Sequence, residues 1–357
     1  LRFELLRPEE LDPQLYFRWV QLHQSDLALS SPFFHPEFTL SVGRVRRDVR
    51  VLVISDHDVV VGFFPFQAGR LGLGRPVGGA LSDFHGIVGS AGLSVDPVEV
   101  LRACGLCGWS FDHLVAGRQG FETFGWDAGV SPAIDLSRGF NAYCMERSSE
   151  GTRLIKKLNA QLRSLEKDHG PVTCEWRNRS KDELYRLMNW KSMQCNSTGT
   201  TDVFGVSWTR QLLIDLSSIS QASFAGMLST MAVGGHVVAA HFGMRSASTW
   251  HYWFPSYDVA FAKYSPGLLL LVKMAEAAPG MGLTTIDLGK GDSKYKSRFA
   301  NNSSPLLQGF AATGAIVSTI NHWWRRADEW VNTGSVAKIL GLPVRACRWL
   351  GRQRKYY

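Results

Sequence analysis

No stretch of eighteen apolar residues occurs in this 357-residue chain, so no segment is expected to cross a membrane as a helix. The most apolar helical candidate, Leu268 to Ala278, is interrupted by Lys273 and Glu276. The opening twelve residues carry acidic side chains and lack the apolar core of a signal peptide, which makes the cytoplasm the expected compartment. Cysteine is scattered: of six, only Cys104 and Cys107 form a C-x-x-C pair. That is two ligands where a structural zinc needs four, and no histidine pair at metal spacing follows, so no metal is expected. Two thiols flanking a helix end are a simpler reading than a redox site. G-x-S-x-G, H-E-x-x-H and Walker loops are absent. Gly72 and Gly74 with Gly78 and Gly79 miss the dinucleotide pattern, because the third glycine falls one place late and Pro76 breaks the helix that should follow.

Acidic residues are also outnumbered, 31 Asp+Glu against 39 Lys+Arg, for a net charge of +8. The excess is local. From Asn321 to the end there are eight basic and two acidic residues, which leaves 31 against 29 in the rest of the chain. A near-neutral body gives no case for nucleic acid. The tail sets Trp323, Trp324, Trp330 and Trp349 among its cations, with Val331, Val336, Ile339 and Leu340 at roughly helical spacing. It is expected to form a helical peripheral contact with an anionic membrane or a membrane-bound synthase.

What is present is otherwise ordinary for a globular protein: 45% hydrophobic and 20% charged residues, over a length that at ~150 residues per domain suggests two domains. Pro8 marks a helix running to about Gln24, and Asp56-His57-Asp58 turns a hairpin between two β-branched runs. Asp96-Pro97-Val98-Glu99 caps a helix, with a strand near Ser110 to Ala116 after it. Residues 151–169 form a basic amphipathic helix with Leu154, Ile155, Leu158, Leu162 and Leu165 on one stripe. Ser180 and Glu183 cap another helix, and a further one covers about Val206 to Leu216. Three strands follow, about 222–233, 236–245 and 249–257, then an apolar helix to Ala278, a strand at 283–288, a short helix and a last strand near 306–311. That order predicts an α+β fold on mixed central sheets.

Three places carry candidate chemistry. Tyr264-Ser265-Pro266-Gly267-Leu268 joins a strand to the apolar helix, a helix start whose N–H groups suit a phosphate. Asp287-Leu288-Gly289-Lys290-Gly291 leaves a strand into a loop that continues to Tyr295 and Lys296, a usual place for substrate contacts. His236, His241 and His251 lie on adjacent strands, where an imidazole can act as a base or simply fill a core position. In the first half, Asp83 and His85 pair a carboxylate with an imidazole after a glycine-rich stretch.

Taken in order, Gly235-His236-Val237-Val238-Ala239-Ala240, Tyr257-Asp258, Tyr264-Ser265-Pro266-Gly267-Leu268, Asp287-Leu288-Gly289-x-Gly291 and Tyr295-Lys296 resemble the GNAT-like domain of CelD-type cellulose-biosynthesis proteins, relatives of the FemAB peptidyltransferases. Val60 to Phe66 and Leu81-Ser82-Asp83-Phe84-His85 are similar to that family's first domain. The resemblance implies two tandem GNAT-type folds, at 1–148 and 149–315, with the tail at 316–357 outside them. It implies acyl transfer, with acetyl-CoA as donor, to an amine or hydroxyl of a small-molecule or saccharide acceptor. Ser265, Gly267 and Leu268 would face the CoA pyrophosphate, His241 or His251 would be the base, and Tyr264 or Tyr252 would protonate the thiolate. Asp287, Lys290 and Lys296, with Asp83 and His85, would hold the acceptor. The usual GNAT loop has two glycines around one residue; the matching positions here, Ala262, Ser265 and Gly267, keep one. Two alternatives follow: an accessory protein of polysaccharide assembly without catalysis, and a FemAB-like transferase using aminoacyl-tRNA, which needs no such loop.

Overall fold

The structure, a computed structural model, describes residues 1–117, 120–291, 293–315 and 319. The expected basic tail at 321–357 lies outside the described residues. Two compact units emerge. The first comprises Leu1–Ser25, Val42–Gly129 and the described residues from Leu306 on; the second comprises Asp26–Ser41 and Val130–Pro305.

In chain order the elements begin with β1 (Arg2–Leu6), α1 (Pro13–Gln24), α2 (Pro36–Val45), β2 (Val49–Asp56), β3 (Val59–Ala68), β4 (Leu73–Arg75), β5 (Val88–Gly89), α3 (Pro97–Ala103), β6 (Gly108–Val115) and β7 (Gly125–Asp135). Then come α4 (Phe140–Ser149), α5 (Leu154–His169), β8 (Val172–Glu175), α6 (Lys181–Thr198), α7 (Ser207–Ser218), β9 (Ala225–Val233), β10 (His236–Arg245) and β11 (Thr249–Tyr257). The chain closes with α8 (Pro266–Ala277), β12 (Thr285–Asp287), α9 (Lys294–Phe299) and β13 (Asn302–Ala312).

Local chemistry explains most starts. Ser180 accepts the Glu183 N–H at 3.3 Å, and Asp96 accepts that of Val98 at 2.8 Å, each satisfying a donor that a helix N-terminus leaves over. The helix expected from Pro8 begins later. Glu10 accepts the Arg7 N–H and closes a 3-10 turn over Pro8–Glu10, Leu11 is extended, and Asp12 then caps α1 through the Leu15 N–H.

The order strand, two helices, three strands, helix, strand occurs twice along the chain, with the two-residue β5 added in the first copy. In both copies the strand before the helix lies parallel to the strand after it: β4 beside β6, and β11 beside β12. Each unit therefore has a mixed sheet, as the sequence led us to expect. In the first unit the strands run β1, β2, β3, β4, β6 and the Leu306–Ala312 part of β13, with β5 on β3. In the second they run β7, β12, β11, β10, β9, β8.

Aromatic packing fills the first core, where Phe64 meets Trp109 edge-on at 5.0 Å and stacks on Phe121 at 5.6 Å. The second core buries Trp250, Leu270, Leu271, Met274 and Ile286. The α5 stripe faces it as its periodicity requires, with Leu154, Leu158 and Leu165 buried and Ile155 and Leu162 half-buried.

Candidate active site

The second unit opens where β11 and β12 part. Their parallel register runs Thr249↔Thr285, Trp250↔Ile286 and His251↔Asp287, and there β12 ends while β11 continues to Tyr257. Past the last rung the chain turns away, with the Leu288 N–H donating to the Pro132 carbonyl at 2.9 Å. A gap at the carboxyl ends of parallel strands is where open α/β sheets bind ligands.

That last rung joins two sequence candidates. The His251 Nδ1 lies 3.1 Å from Asp287 Oδ1, at ion-pair distance but off the axis of a linear hydrogen bond. The same carboxylate oxygen accepts Ser131 Oγ–H at 2.9 Å and the Gly289 N–H at 2.8 Å. Both side chains are buried, and the Phe33 ring stands edge-on to the imidazole at 4.8 Å. Phe33 also meets Trp253 at 5.4 Å. Ser131 and Phe33 were not legible as site residues, because neither sits in a local motif and both arrive through long-range pairing.

His241 has a different part. Its Nε2 accepts the Trp253 N–H at 3.2 Å, which puts the ring proton on Nδ1, and Nδ1 finds no acceptor among the described residues. The ring stacks on Tyr252 at 4.5 Å with 8° between the planes. Burial, with the charge of His251 adding to it, pushes its pKa well below the usual imidazole value, so His241 stays neutral. Gly243 makes the room: a Cβ there would lie 2.0 Å from the His251 carbonyl oxygen and 2.7 Å from His241 Cε1. The third histidine, His236, meets Asp258 at 3.2 Å on the surface.

The helix start behaves as its sequence suggests in part. Ser265 is the α8 N-cap in the left-handed conformation, φ 57° and ψ 49°, and Pro266 takes the first helical position. The Leu268 and Leu269 N–H groups both donate to the Ser265 carbonyl, at 3.0 and 3.1 Å. Gly267 carries the first-turn N–H that these bonds leave over, and a Cβ on it would meet only Tyr257 Cδ1, at 3.5 Å. Ser265 Oγ accepts from Gln161 Nε2 at 3.3 Å. Tyr252 reaches the same turn by donating its hydroxyl to the Gly267 carbonyl at 3.3 Å, and burial with the nearby Tyr295 pushes its phenol well above the ordinary value. Tyr264 instead donates to Asp168, with His169 Nε2 3.2 Å away, so its hydroxyl belongs to the C-terminal end of α5.

Lys296 donates to the carbonyls of Gly289 and Lys290 at 2.9 and 3.0 Å, fastening the loop that follows β12. Lys290 is half-buried in that loop. Asp83 and His85 belong to the first unit. There His85 Nε2 lies 2.8 Å from Asp112 Oδ1, His113 Nδ1 lies 2.9 Å from the same oxygen, and His113 Nε2 lies 3.7 Å from Asp83 Oδ1. Asp112 and His113 went unnamed from the sequence, although adjacent Asp and His residues on a strand were a usable signal.

Residues 152–297 match the acetyltransferase (GNAT) domain family. No curated protein sequence matches the chain. Among solved structures, FemX superposes with a TM-score of 0.53 at 10% identity, covering 86% of this chain and 96% of FemX. The C-terminal domain of an Agrobacterium fabrum protein named for lysylphosphatidylglycerol synthesis gives a TM-score of 0.52 at 14% identity, covering 86% of this chain and 94% of that one. At such identities the likeness shows the fold. The second half of the chain holds a GNAT-type domain, and among the described residues no helix is long and apolar enough to cross a membrane.

Proposed function

We propose that the chain is an acyltransferase whose transfer centre is the gap between β11 and β12. The observation that carries this is the parting of the two parallel strands at the His251–Asp287 rung, beside the start of α8, within a GNAT-type domain. Acyl-CoA, when bound, supplies an activated thioester carbonyl. The fit of the helix start to its pyrophosphate is partial: Gly267 leaves the approach open, but its single N–H replaces the usual row of donors.

The chain's own groups take distinct parts in this proposal. The Asp287 carboxylate, at ion-pair distance from His251 Nδ1, favours the ring proton on that nitrogen, so Nε2 is the basic nitrogen that takes a proton from the acceptor's amine or hydroxyl. Tyr252, whose hydroxyl sits at the Gly267 carbonyl of the α8 turn, is the acid for the leaving group. Lys290 places the acceptor's polar groups along the loop after β12, which Lys296 and Asp287 hold in shape. The acceptor is a small molecule or a saccharide, in the cellulose or exopolysaccharide setting that the CelD-type motifs imply. The basic segment 321–357 provides a contact with a membrane surface or a membrane-bound synthase.

Acetyl-CoA at a hundredfold excess over its Kd should raise the unfolding free energy by about 2.7 kcal/mol, and Gly267→Trp should abolish the rise. No stabilisation by any acyl-CoA would overturn the reading. The thin pyrophosphate seat favours a second one, an aminoacyl-tRNA donor as in the FemAB relatives. It predicts RNA binding that weakens steeply with salt. If Gly267→Trp restores exopolysaccharide output to a deletion strain, the chain serves that assembly without catalysis.

A further inference from the structure

The first unit has its own parted strands. β4 and β6 pair in parallel at Leu73↔Gly108 and Gly74↔Trp109, and then β4 ends at Arg75. The chain leaves through a 3-10 turn over Gly79–Leu81 and returns at His85, which forms a single parallel bridge to Leu114. The bridge is well made, with the His85 N–H donating to the His113 carbonyl at 2.9 Å and the Val115 N–H to the His85 carbonyl at 3.3 Å. Between the two contact points lies an opening of about 380 Å³, bordered by Arg75, Ser110, Asp112, Trp126 and Gln308.

At its edge three donor atoms converge. His85 Nε2 and His113 Nδ1 both point at Asp112 Oδ1, from 2.8 and 2.9 Å, and all three atoms lie within 4.8 Å of one another. His85 is closed off from solvent on its own side, while the Asp112 side chain is about half exposed, 49%, toward the opening it borders. The outer nitrogen of His113 faces a second carboxylate, Asp83, at 3.7 Å. An imidazole held between a ligand position and an outer carboxylate is the usual support of a metal-binding histidine.

We propose that His85, Asp112 and His113 bind a divalent transition-metal ion of the zinc class, with Asp83 orienting His113. Two imidazoles and one carboxylate suit such an ion, whereas magnesium and calcium require oxygen donors. Bonds of about 2.0 Å in a tetrahedron place ligands about 3.3 Å apart, so the two contacts to Asp112 open by about half an ångström while the two ring nitrogens, within 4.8 Å of each other, draw together by up to about 1.5 Å. Three protein ligands leave one position, and the exposed side of the cluster turns it toward the cavity. An oxygen donor of a polar ligand fits there, next to Arg75, Gln308 and the half-exposed Trp126 ring. Cysteine spacing gave no hint of this site, because its ligands come from a loop and a strand 27 residues apart in the chain. The proposal is independent of whether the second unit transfers acyl groups.

The test is a zinc titration of the full chain by calorimetry after chelator treatment, beside Asp112→Asn, His113→Gln and Asp83→Asn. One equivalent should bind the wild type, with at least 100-fold weaker binding in the first two variants. Asp83→Asn should weaken it 10- to 100-fold. No binding by the wild type, or equal binding by all four proteins, overturns the proposal. If the variants fail to fold, cobalt bound to the wild type decides: its spectrum should lack a thiolate charge-transfer band, and such a band would assign the ion to the cysteines instead.

Discussion

At His241 the nitrogen that a general base would use accepts the Trp253 N–H, and the other nitrogen carries a buried proton. The ring is a fixed neutral wedge between β10 and β11. His251, one strand away, is the histidine that a carboxylate orients. Sequence periodicity could not separate them, since both fall on inner faces of adjacent strands. The difference has a pH signature. Because burial lowers the folded-state pKa of His241 below 6.5, the unfolded chain binds the extra proton, and stability present above pH 6.5 is lost as pH falls. His241→Gln, which keeps an acceptor for Trp253, should flatten the stability slope below pH 6.5 by up to about 1.4 kcal/mol per pH unit. Urea unfolding across that range checks it; an unchanged slope would remove His241 from the account. Asp287 is tested by deletion. Asp287→Ala strips the acceptor of Ser131 and of the Gly289 N–H and the carboxylate that faces His251, all at buried positions. It should cost about 3–5 kcal/mol in chemical denaturation.

Among the elements, local signals worked where the determinants are local. β10 and β11 fall on the residues expected, because Gly234-Gly235 and Ser246-Ala247-Ser248 bound β10 on both sides and Asp258 caps the turn that ends β11. The strand anticipated at 283–288 is shorter, since the Leu283 N–H closes the end of the preceding helix through the Ala278 carbonyl and the Thr284 N–H donates to Ser248. β1, β7, β8 and α4 were not anticipated. β1 and β8 are short strands at the ends of their sheet orders, each fixed by one neighbour. The α8 start shows a constraint that no pattern predicts, a serine at φ 57°. Ser265→Gly should leave stability within about 0.5 kcal/mol of wild type, as glycine tolerates that conformation. Ser265→Val should lose about 1–2 kcal/mol. Thermal melts of the pair decide; equal melting points would mean that the turn relaxes.

For the molecule as a whole, the net charge of +8 is mostly a property of the last 37 residues. Juxtamembrane cations contribute roughly 1 kcal/mol each near an anionic surface. The full chain should therefore sediment with anionic vesicles, and a chain ending at Ile320 should not. Equal sedimentation of the two would end the idea of a membrane contact through the tail.

The sequence by itself determined the α+β class, the amphipathic stripe of α5, the cap of α6, the hairpin strands and the helix start at Pro266. In each case the physics lies within a few residues: side-chain periodicity, a cap, a turn. Only the tertiary structure decided which of these residues meet. It brought His251 to Asp287 across a parallel rung 36 positions apart, set Phe33 from the segment 26–41 against that imidazole, and gathered His85 with Asp112 and His113. Parallel strands need a crossover, so their partners are never close in sequence, and the chemistry of both gaps depends on where such a pair stops.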